Sequence, residues 1–169
     1  MKADKDKPMV IVVMGVTGVG KTTIGKQLAN TLGWPFYDAD DFHPSTNVEK
    51  MRQGMALVDE DRLPWLKALN VLIKESLNRG SSAVLACSAL RASYRELLKD
   101  GNEGVHFVYL SARSEIVQAR LDARVGHFMN PTLLASQFQT LEVPSDAIHV
   151  NAERSPDEVV QEIIAALGL

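Results

Sequence analysis

One stretch near the N-terminus constrains this chain more than any other, the segment Gly15-Val-Thr-Gly-Val-Gly-Lys21-Thr22. It fits the pattern of a glycine, four residues and Gly-Lys followed by Ser or Thr, a loop whose backbone N–H groups surround phosphate oxygens. Residues 9–14 before it form a continuous apolar run, typical of a buried parallel strand, and residues 21–32 after it have helical apolar spacing. This strand, turn and helix predict a phosphate site in which Lys21 contacts the terminal phosphates and the Thr22 hydroxyl binds Mg²⁺.

The composition limits the kind of protein that can surround this loop. With 169 residues, 46% hydrophobic and 23% charged, the chain is expected to form one domain, 1–169, with a flexible charged tail at 1–8. No apolar run is long enough to span a bilayer, and the tail lacks the apolar core of a signal peptide. The single Cys87 is compatible with a reducing cytosol, and the net charge of −3 argues against a nucleic-acid partner. We therefore expect a cytoplasmic protein that binds neither membranes nor nucleic acids.

The rest of the chain alternates short apolar runs with helical patterns. Five strands are predicted, at residues 9–14, 34–38, 82–87, 105–110 and 147–151. Asn47 is expected to cap a short helix. Residues 59–64 are expected to form an acidic loop that leads into a long helix. The alternation predicts an α/β fold, a three-layer α/β/α sandwich around a five-stranded parallel sheet. Because ligands bind beyond the carboxyl ends of such strands, the polar loops are expected to meet around the phosphate loop.

Carboxylates beside the sheet distinguish among proteins that have such a loop. Large ATPases and GTPases place a metal-binding Asp after another apolar strand, but here the third strand ends in Ala86-Cys87-Ser88. A guanine-reading Asn-Lys-x-Asp is also absent from the sequence. Asp38 and Asp40 instead follow the second strand, which favours a small kinase in which Asp38 holds Mg²⁺ and Asp40 accepts the proton of an acceptor hydroxyl. The alternative is that both make local turns in a loop.

Two arginines precede a polar loop in the last third of the chain. Arg120 and Arg124 are four residues apart, just before the loop 126–130. This spacing suits a lid over ATP at about 120–140, with one arginine stabilising charge on the transferred phosphate. The alternative is an ordinary solvated helix face.

Other side chains in the polar loops suit a small acidic acceptor with several hydroxyl groups. Arg52, Arg62 and Arg91 are candidates to bind its carboxylate, because a guanidinium matches a carboxylate. Surface salt bridges to nearby acidic residues are the alternative for each of them. His43 and His127 lie in polar loops and can supply short hydrogen bonds to hydroxyl groups. No metal-ligand spacing links the two histidines, so a zinc site is not predicted.

Several segments together resemble the gluconate kinases. The most specific are Asp38-Ala-Asp-Asp-Phe-His-Pro44 and Asp61-Arg62-Leu-Pro-Trp65, and others are Cys87-Ser-Ala-Leu90 and His127-Phe-Met129. The resemblance runs from about residue 9 to the C-terminus. Gluconate kinases belong with shikimate kinase and the nucleoside monophosphate kinases, and they are commonly homodimers. The resemblance implies phosphorylation of the 6-hydroxyl of D-gluconate with ATP and Mg²⁺, in sugar-acid catabolism that feeds the pentose phosphate or Entner–Doudoroff route.

The resemblance also implies which residues form the site. The ATP site would consist of the phosphate loop and the two lid arginines: Gly15, Val16, Thr17, Gly18, Val19, Gly20, Lys21, Thr22, Thr23, Arg120 and Arg124. The acceptor site would contain Asp40, Arg52, Arg62, Ser88, Arg91, His127 and Gln137, and His43 is added to it from its place in a polar loop. Thr22 and Asp38 would hold the metal ion, and Lys21, Asp40 and Arg124 would be catalytic.

Two alternatives remain at the level of sequence. One is a kinase of the same architecture for a related small acid such as shikimate. The other is a nucleotide-binding regulatory module without catalysis, which would need neither Asp38 and Asp40 nor an arginine lid. The family more often carries serine where Thr17, Val19 and Thr23 stand here. Because the loop acts chiefly through backbone N–H groups, we expect activity to persist.

Overall fold

A five-stranded parallel sheet forms the middle of the protein, in a computed structural model that describes residues 4–124 and 131–169. The strands are β1 Val10–Met14, β2 Phe36–Asp38, β3 Ala83–Ala86, β4 Val105–Ser111 and β5 Ile148–Asn151. Their order is β2-β3-β1-β4-β5, and every neighbouring pair is parallel. The central strand β1 is buried throughout, as its unbroken apolar run predicts. The predicted α/β fold with a five-stranded parallel sheet is confirmed.

Seven α-helices in the described residues cover the two faces of this sheet. They are α1 Lys21–Leu32, α2 Ser45–Arg52, α3 Asp59–Asn78, α4 Ala92–Lys99, α5 Ser114–Asp122, α6 Pro131–Thr140 and α7 Pro156–Leu167. On one face Ile11 of β1 packs in a cluster with Leu28 of α1 and Ile163 of α7. The next residue, Val12, points to the other face and packs in a cluster with Leu69 of α3. No helix of residues 4–124 and 131–169 is long and apolar enough to cross a membrane.

The acidic segment predicted as a loop is instead the first turn of α3. The helix begins at Asp59, and Asp61 Oδ2 accepts a hydrogen bond from the Val58 N–H at 3.0 Å. Negative side chains favour a helix N-terminus because they offset its partial positive charge. Pro64 lies inside the helix, where it removes one backbone hydrogen bond without ending it. The loop prediction was wrong because acidic residues suit a helix start as well as a loop.

Asn47 does not cap α2 as expected. The helix begins two positions earlier, at Ser45, and the Asn47 side chain is buried. Its Nδ2 donates a hydrogen bond to the backbone oxygen of Asp61 at 2.7 Å. The side chain therefore joins α2 to the first turn of α3, a contact between segments that local sequence rules do not contain.

Candidate active site

The phosphate loop joins β1 to α1 and has a backbone shape that requires its glycines. Gly18 and Gly20 have φ angles of 80° and 114°, which residues with a Cβ atom rarely adopt. A Cβ atom added at Gly18 would meet the Leu121 side chain at 2.6 Å, so α5 packs directly against the loop. Gly20 immediately precedes α1, whose first N–H groups have no partner within the helix. The loop and the helix N-terminus together have the geometry of an anion site.

Lys21 is the first residue of α1 and lies half-buried beside the loop. Its Nζ donates hydrogen bonds to the backbone oxygens of Gly15 and Val16, each at 3.0 Å. Burial lowers the pKa of Lys21 to about 8, and the negative charge of Asp40 is the strongest opposing influence. Lys21 therefore places a titratable positive charge at the mouth of the loop.

Two carboxylates and a hydroxyl meet beside Lys21. Thr22 Oγ1 donates a hydrogen bond to Asp38 Oδ2 at 3.3 Å, and Asp38 Oδ1 accepts one from the Asp40 N–H at 3.0 Å. Asp40 lies in a 3₁₀ turn, Ala39–Phe42, directly after β2. The Asp38 side chain holds this turn, because the backbone N–H it binds belongs to the turn. Both carboxylates line one cavity with Lys21.

Asp40 has the electrostatic setting of a proton acceptor. It opens to solvent through the cavity, yet partial burial raises the pKa of Asp40, as does the charge of Asp38. The positive charge of Lys21 opposes this shift. A carboxylate whose pKa is raised toward the working pH is a stronger base than an ordinary exposed one.

Thr22 and Asp38 offer oxygen atoms of the kind that Mg²⁺ binds. In the part of the chain that the structure describes, no cluster of three or more His, Cys, Asp or Glu could hold a metal ion by itself. Mg²⁺ does not need such a cluster, because it keeps several waters and takes one or two protein oxygens together with phosphate oxygens. The two side chains therefore fit a magnesium ion that is shared with a phosphate ligand.

Two adjoining cavities of about 360 Å³ each open around these groups. The donor cavity lies against the phosphate loop, Lys21 and Asp38. The acceptor cavity lies between the 3₁₀ turn, α2, α3 and α6. Four residues line both cavities: Asp40, Met51, Ser88 and Gln137. A molecule in one cavity can therefore meet a molecule in the other beside the Asp40 carboxylate.

The acceptor cavity contains a positive charge and several hydrogen-bonding groups. Arg62 Nη1 donates a hydrogen bond to the Tyr94 hydroxyl at 3.2 Å, which fixes the guanidinium at the cavity wall. The His43 ring stacks on Trp65 with ring centroids 4.3 Å apart. Burial, and then the charge of Arg62, lower the pKa of His43, so its ring is neutral at pH 7 and can donate and accept. This lining suits a small acid with several hydroxyl groups.

The other predicted acceptor residues are placed differently. Ser88 and Gln137 line the acceptor cavity. Arg52 and Arg91 do not line it, and they pair with carboxylates of α2 and α3 at 3.4 and 3.6 Å. His127 lies outside the described residues. Among the three arginines proposed for a carboxylate, Arg62 is the one that the fold brings into the cavity.

Helix α5 and the residues just after it bring Arg120 and Arg124 to the phosphate loop. Arg120 donates hydrogen bonds to the backbone oxygens of Val19 at 2.9 Å and Ala152 at 2.7 Å. Arg124 lines the donor cavity and also an outer cavity of about 290 Å³. The outer cavity lies between the phosphate loop and residues of the segment 152–156 after β5, a segment not among the predicted site residues. The position of that segment beyond the end of a strand was the available signal.

Comparisons with known proteins give the family of this chain. A model of the shikimate kinase family matches residues 17–168. A gluconokinase from Gluconobacter oxydans (strain 621H) is 47% identical and covers 94% of this chain and 90% of its own. A gluconokinase from Arabidopsis thaliana is 42% identical and covers 92% of this chain and 90% of its own. The chain belongs to the gluconokinase family.

Solved structures place the fold within the same family. A gluconokinase from Sinorhizobium meliloti 1021 superposes with a TM-score of 0.86 at 38% identity, covering 97% of this chain and 94% of its own. A shikimate kinase from Aquifex aeolicus superposes with a TM-score of 0.62 at 22% identity over 95% of this chain and 96% of its own. This second likeness concerns the fold alone. The resemblance to gluconate kinases stated from the sequence is confirmed.

In this member of the gluconokinase family, the acceptor cavity also has an apolar part that does not follow from the sequence. Met51, Met55 and Leu133 line it and are 44%, 51% and 43% exposed, so they form a rim and not a core. Trp65 also lines the acceptor cavity, and its Nε1 donates a hydrogen bond to the Ala39 oxygen at 2.7 Å. Apolar residues at helical spacing predict a buried face, and spacing alone does not distinguish a rim from a core.

Proposed function

We propose that this chain transfers the terminal phosphoryl group of ATP to the 6-hydroxyl of D-gluconate. The observation that carries the proposal is the meeting of the donor and acceptor cavities at Asp40, beside a phosphate loop. The names of the relatives support gluconate as the acceptor, since two gluconokinases share 47% and 42% of their aligned residues with this chain. A regulatory module without catalysis would not need an acceptor cavity that opens onto the phosphate loop.

The donor side of the reaction rests on the phosphate loop. We propose that the backbone N–H groups of the loop and the Lys21 ammonium bind the phosphates of ATP. The outer cavity beside Arg120 would receive the nucleoside, because it adjoins the loop and shares no lining residue with the acceptor cavity. Thr22 and Asp38 would hold Mg²⁺, which neutralises charge on the phosphates.

The acceptor side rests on Arg62 and Asp40. Arg62 would bind the gluconate carboxylate, and His43 and Ser88 would bind hydroxyl groups along the chain of the acceptor. Asp40 accepts the proton of the 6-hydroxyl as its oxygen bonds to the terminal phosphorus and the bond from phosphorus to the bridging oxygen of ADP breaks. The proton then leaves to solvent, to which Asp40 is open. Arg124 stabilises negative charge on the phosphoryl group during transfer.

Asp38→Asn is expected to raise the Mg²⁺ concentration for half-maximal rate by about tenfold or more, because one metal-directed carboxylate is lost. A Mg²⁺ titration of the rate at saturating ATP and gluconate measures this. Asp41→Asn is the matched control, since Asp41 is an exposed neighbour that lines neither cavity. An unchanged metal requirement in Asp38→Asn would show that the Asp38 carboxylate stabilises the 3₁₀ turn and does not bind the metal ion.

ATP binding is expected to weaken as pH rises through about 8, where Lys21 loses its charge. Phosphates bind the charged form and raise its pKa, so binding should take up protons above this pH. Calorimetric titration of ATP, from neutral to clearly alkaline pH and in buffers of different ionisation enthalpy, measures both effects. In Lys21→Met the titrating group is gone, so its weaker binding should show no step near this pH. A pH-independent Kd in the wild-type protein would contradict the role of Lys21.

A panel of small acids tests the choice of acceptor. ADP release is measured by a coupled assay with gluconate, other sugar acids, shikimate and no acceptor. We expect the highest kcat/KM with gluconate and little ADP release without an acceptor. Preference for shikimate would move the assignment to the related kinase, and ADP release that no acceptor stimulates would refute the proposed transfer.

We also infer the setting in which the enzyme acts. The resemblance to gluconate kinases supports a single kinase domain, with residues at about 120–140 as a lid, that works in the cytoplasm as a homodimer. Light scattering of the purified protein gives its mass in solution and decides between one copy and two.

A further inference from the structure

A buried charged side chain lies behind the turn that carries Ser88. Arg95 of α4 is 6% exposed, and it is the one charged residue that is buried in the part of the chain that the structure describes. Its Nη1 donates a hydrogen bond to the Ala89 oxygen at 2.7 Å, and its Nη2 donates one to the Glu142 oxygen at 2.9 Å. Because a charge is costly to bury unless its donors are bonded, these hydrogen bonds keep the guanidinium inside the protein.

The turn 88–91 has a strained backbone at the residue that Arg95 binds. Ala89 has a φ angle of 44°, the one positive φ of a residue other than glycine in residues 4–124 and 131–169. A Cβ atom disfavours this conformation, which persists only where the surroundings hold it. In the same turn, the Ser88 oxygen accepts a hydrogen bond from the Gly15 N–H at 3.3 Å. The turn is therefore held between Arg95 and the first residue of the phosphate loop.

The segment after α6 is joined to the same turn. The Glu142 N–H donates a hydrogen bond to the Leu90 oxygen at 2.8 Å, and Glu142 Oε1 accepts one from the Ala92 N–H at 3.3 Å. Together with the contact to Arg95, these bonds fix the segment to the turn and to the start of α4. Residues of both the turn and α6 line the acceptor cavity: Ser88, Leu90, Ser136 and Gln137. Arg95 thus joins two walls of this cavity.

We propose that Arg95 is a positioning residue of the acceptor site, a role that rests on the proposed function. Its guanidinium holds the strained turn and the end of α6 at a fixed separation, so that the two walls of the acceptor cavity keep their distance. The phosphate loop has its own support, because Lys21 Nζ binds the backbone oxygens of Gly15 and Val16. Loss of Arg95 should therefore weaken binding of the acceptor and spare binding of ATP.

Arg95→Ala is expected to raise the KM for gluconate by about tenfold or more, since the hydrogen bonds of a charged donor are lost. The Kd of ATP should change by less than about twofold, because the phosphate loop keeps its own contacts. A cavity of about 340 Å³ lies beside Arg95 and is lined by the exposed Glu96 and Val143, so small ions reach it from solvent. The ethylguanidinium ion has the atoms that the substitution removes. It should lower the KM of Arg95→Ala and leave the wild-type KM unchanged.

Amide hydrogen exchange tests the contacts of Arg95 without any acceptor. The Glu142 N–H is bonded to the Leu90 oxygen, so its exchange rate reports whether the end of α6 separates from the turn. Arg95→Ala should speed this exchange by about tenfold or more, while the amides of β1 stay protected. An unchanged rate at Glu142 would overturn the proposal. A wild-type protein inactive on gluconate would refute the proposed function, whereas the exchange rates would still decide what Arg95 holds.

Lys99→Ala is the matched control, because Lys99 lines the same cavity and pairs with Glu96 and Asp146, outside the turn, at 3.2 and 3.5 Å. It should keep the wild-type KM and exchange rates. Arg95→Lys keeps the charge without the planar fork and should have an intermediate KM, so it takes the place of Arg95→Ala if that variant does not fold. A wild-type KM for gluconate in the variant tested would overturn the proposal. So would a raised KM that ethylguanidinium does not lower in Arg95→Ala, or a parallel loss of ATP binding.

Discussion

Arg124→Ala is expected to lower kcat by about a thousandfold and to change the Kd of ATP only a few-fold. The arginine follows α5 and lines the donor cavity with Lys21 and Asp40. Burial is the main cause of the lowered pKa of Lys21, and the positive charge of Arg124 lowers it slightly further, because the two cations share this cavity. A positive charge fixed at this position stabilises the phosphoryl group most strongly in the transition state. There, the negative charge of the phosphoryl group is shared with the entering and leaving oxygens.

The split between kcat and ATP affinity is the decisive feature of this experiment. Stopped-flow or calorimetric ATP binding is measured beside the steady-state rate. Arg79→Ala is a suitable control, because it removes an exposed arginine at the end of α3 that lines neither cavity. A loss of ATP affinity at unchanged kcat would make Arg124 a binding residue only.

Asp40→Asn is expected to lower kcat by about a hundredfold or more, in line with the usual contribution of a general base. The amide keeps the size of the side chain but does not accept the proton of the acceptor hydroxyl. ATP and Mg²⁺ binding should persist, since the groups proposed to bind them, the phosphate loop, Lys21, Thr22 and Asp38, are unchanged. Asp41→Asn changes the neighbouring exposed carboxylate and should leave kcat unchanged. A near-normal kcat in Asp40→Asn would show that the base is another group.

The raised pKa of Asp40 predicts how the rate and the stability of the protein change with pH. The wild-type rate should fall as pH decreases through that pKa, because the protonated carboxyl is not a base. The folded protein binds this proton more tightly than the unfolded chain, so the charged carboxylate opposes folding above the ordinary pKa of about 3.8. Asp40→Asn should therefore be no less stable than the wild-type protein at pH 7 by thermal unfolding. A marked loss of stability would indicate a structural role instead.

The phosphate loop and the sheet follow from local sequence signals. The apolar run before Gly15 and the helical spacing after Lys21 each report on a few neighbouring residues, and the structure has the predicted strand and helix at these places. The start of α3 could not be predicted from the sequence. Aspartates such as Asp59 and Asp61 are common in loops and equally favourable in a first helical turn. The role of Asn47 depends on a hydrogen bond to another helix, which no local rule predicts.

The candidate site shows the same division between local and tertiary information. Asp38 and Asp40 could be placed beside the loop because both follow a strand of a parallel sheet. The sequence could not rank Arg52, Arg62 and Arg91, since which one reaches the acceptor cavity depends on how α2, α3 and α4 pack. The apolar rim and the contact of Gln137 with the loop likewise arise from packing between distant segments.

The phosphorus NMR spectrum of the product tests gluconate phosphorylation most directly. The protein is incubated with ATP, Mg²⁺ and D-gluconate, and a reaction without gluconate is run beside it. We predict a new phosphate monoester signal that proton coupling splits into a triplet, because the 6-hydroxyl is on a CH₂ group, with ADP formed in equal amount. A doublet would place the phosphate on a secondary hydroxyl, and inorganic phosphate formed beside ADP, with no monoester signal, would contradict transfer to gluconate.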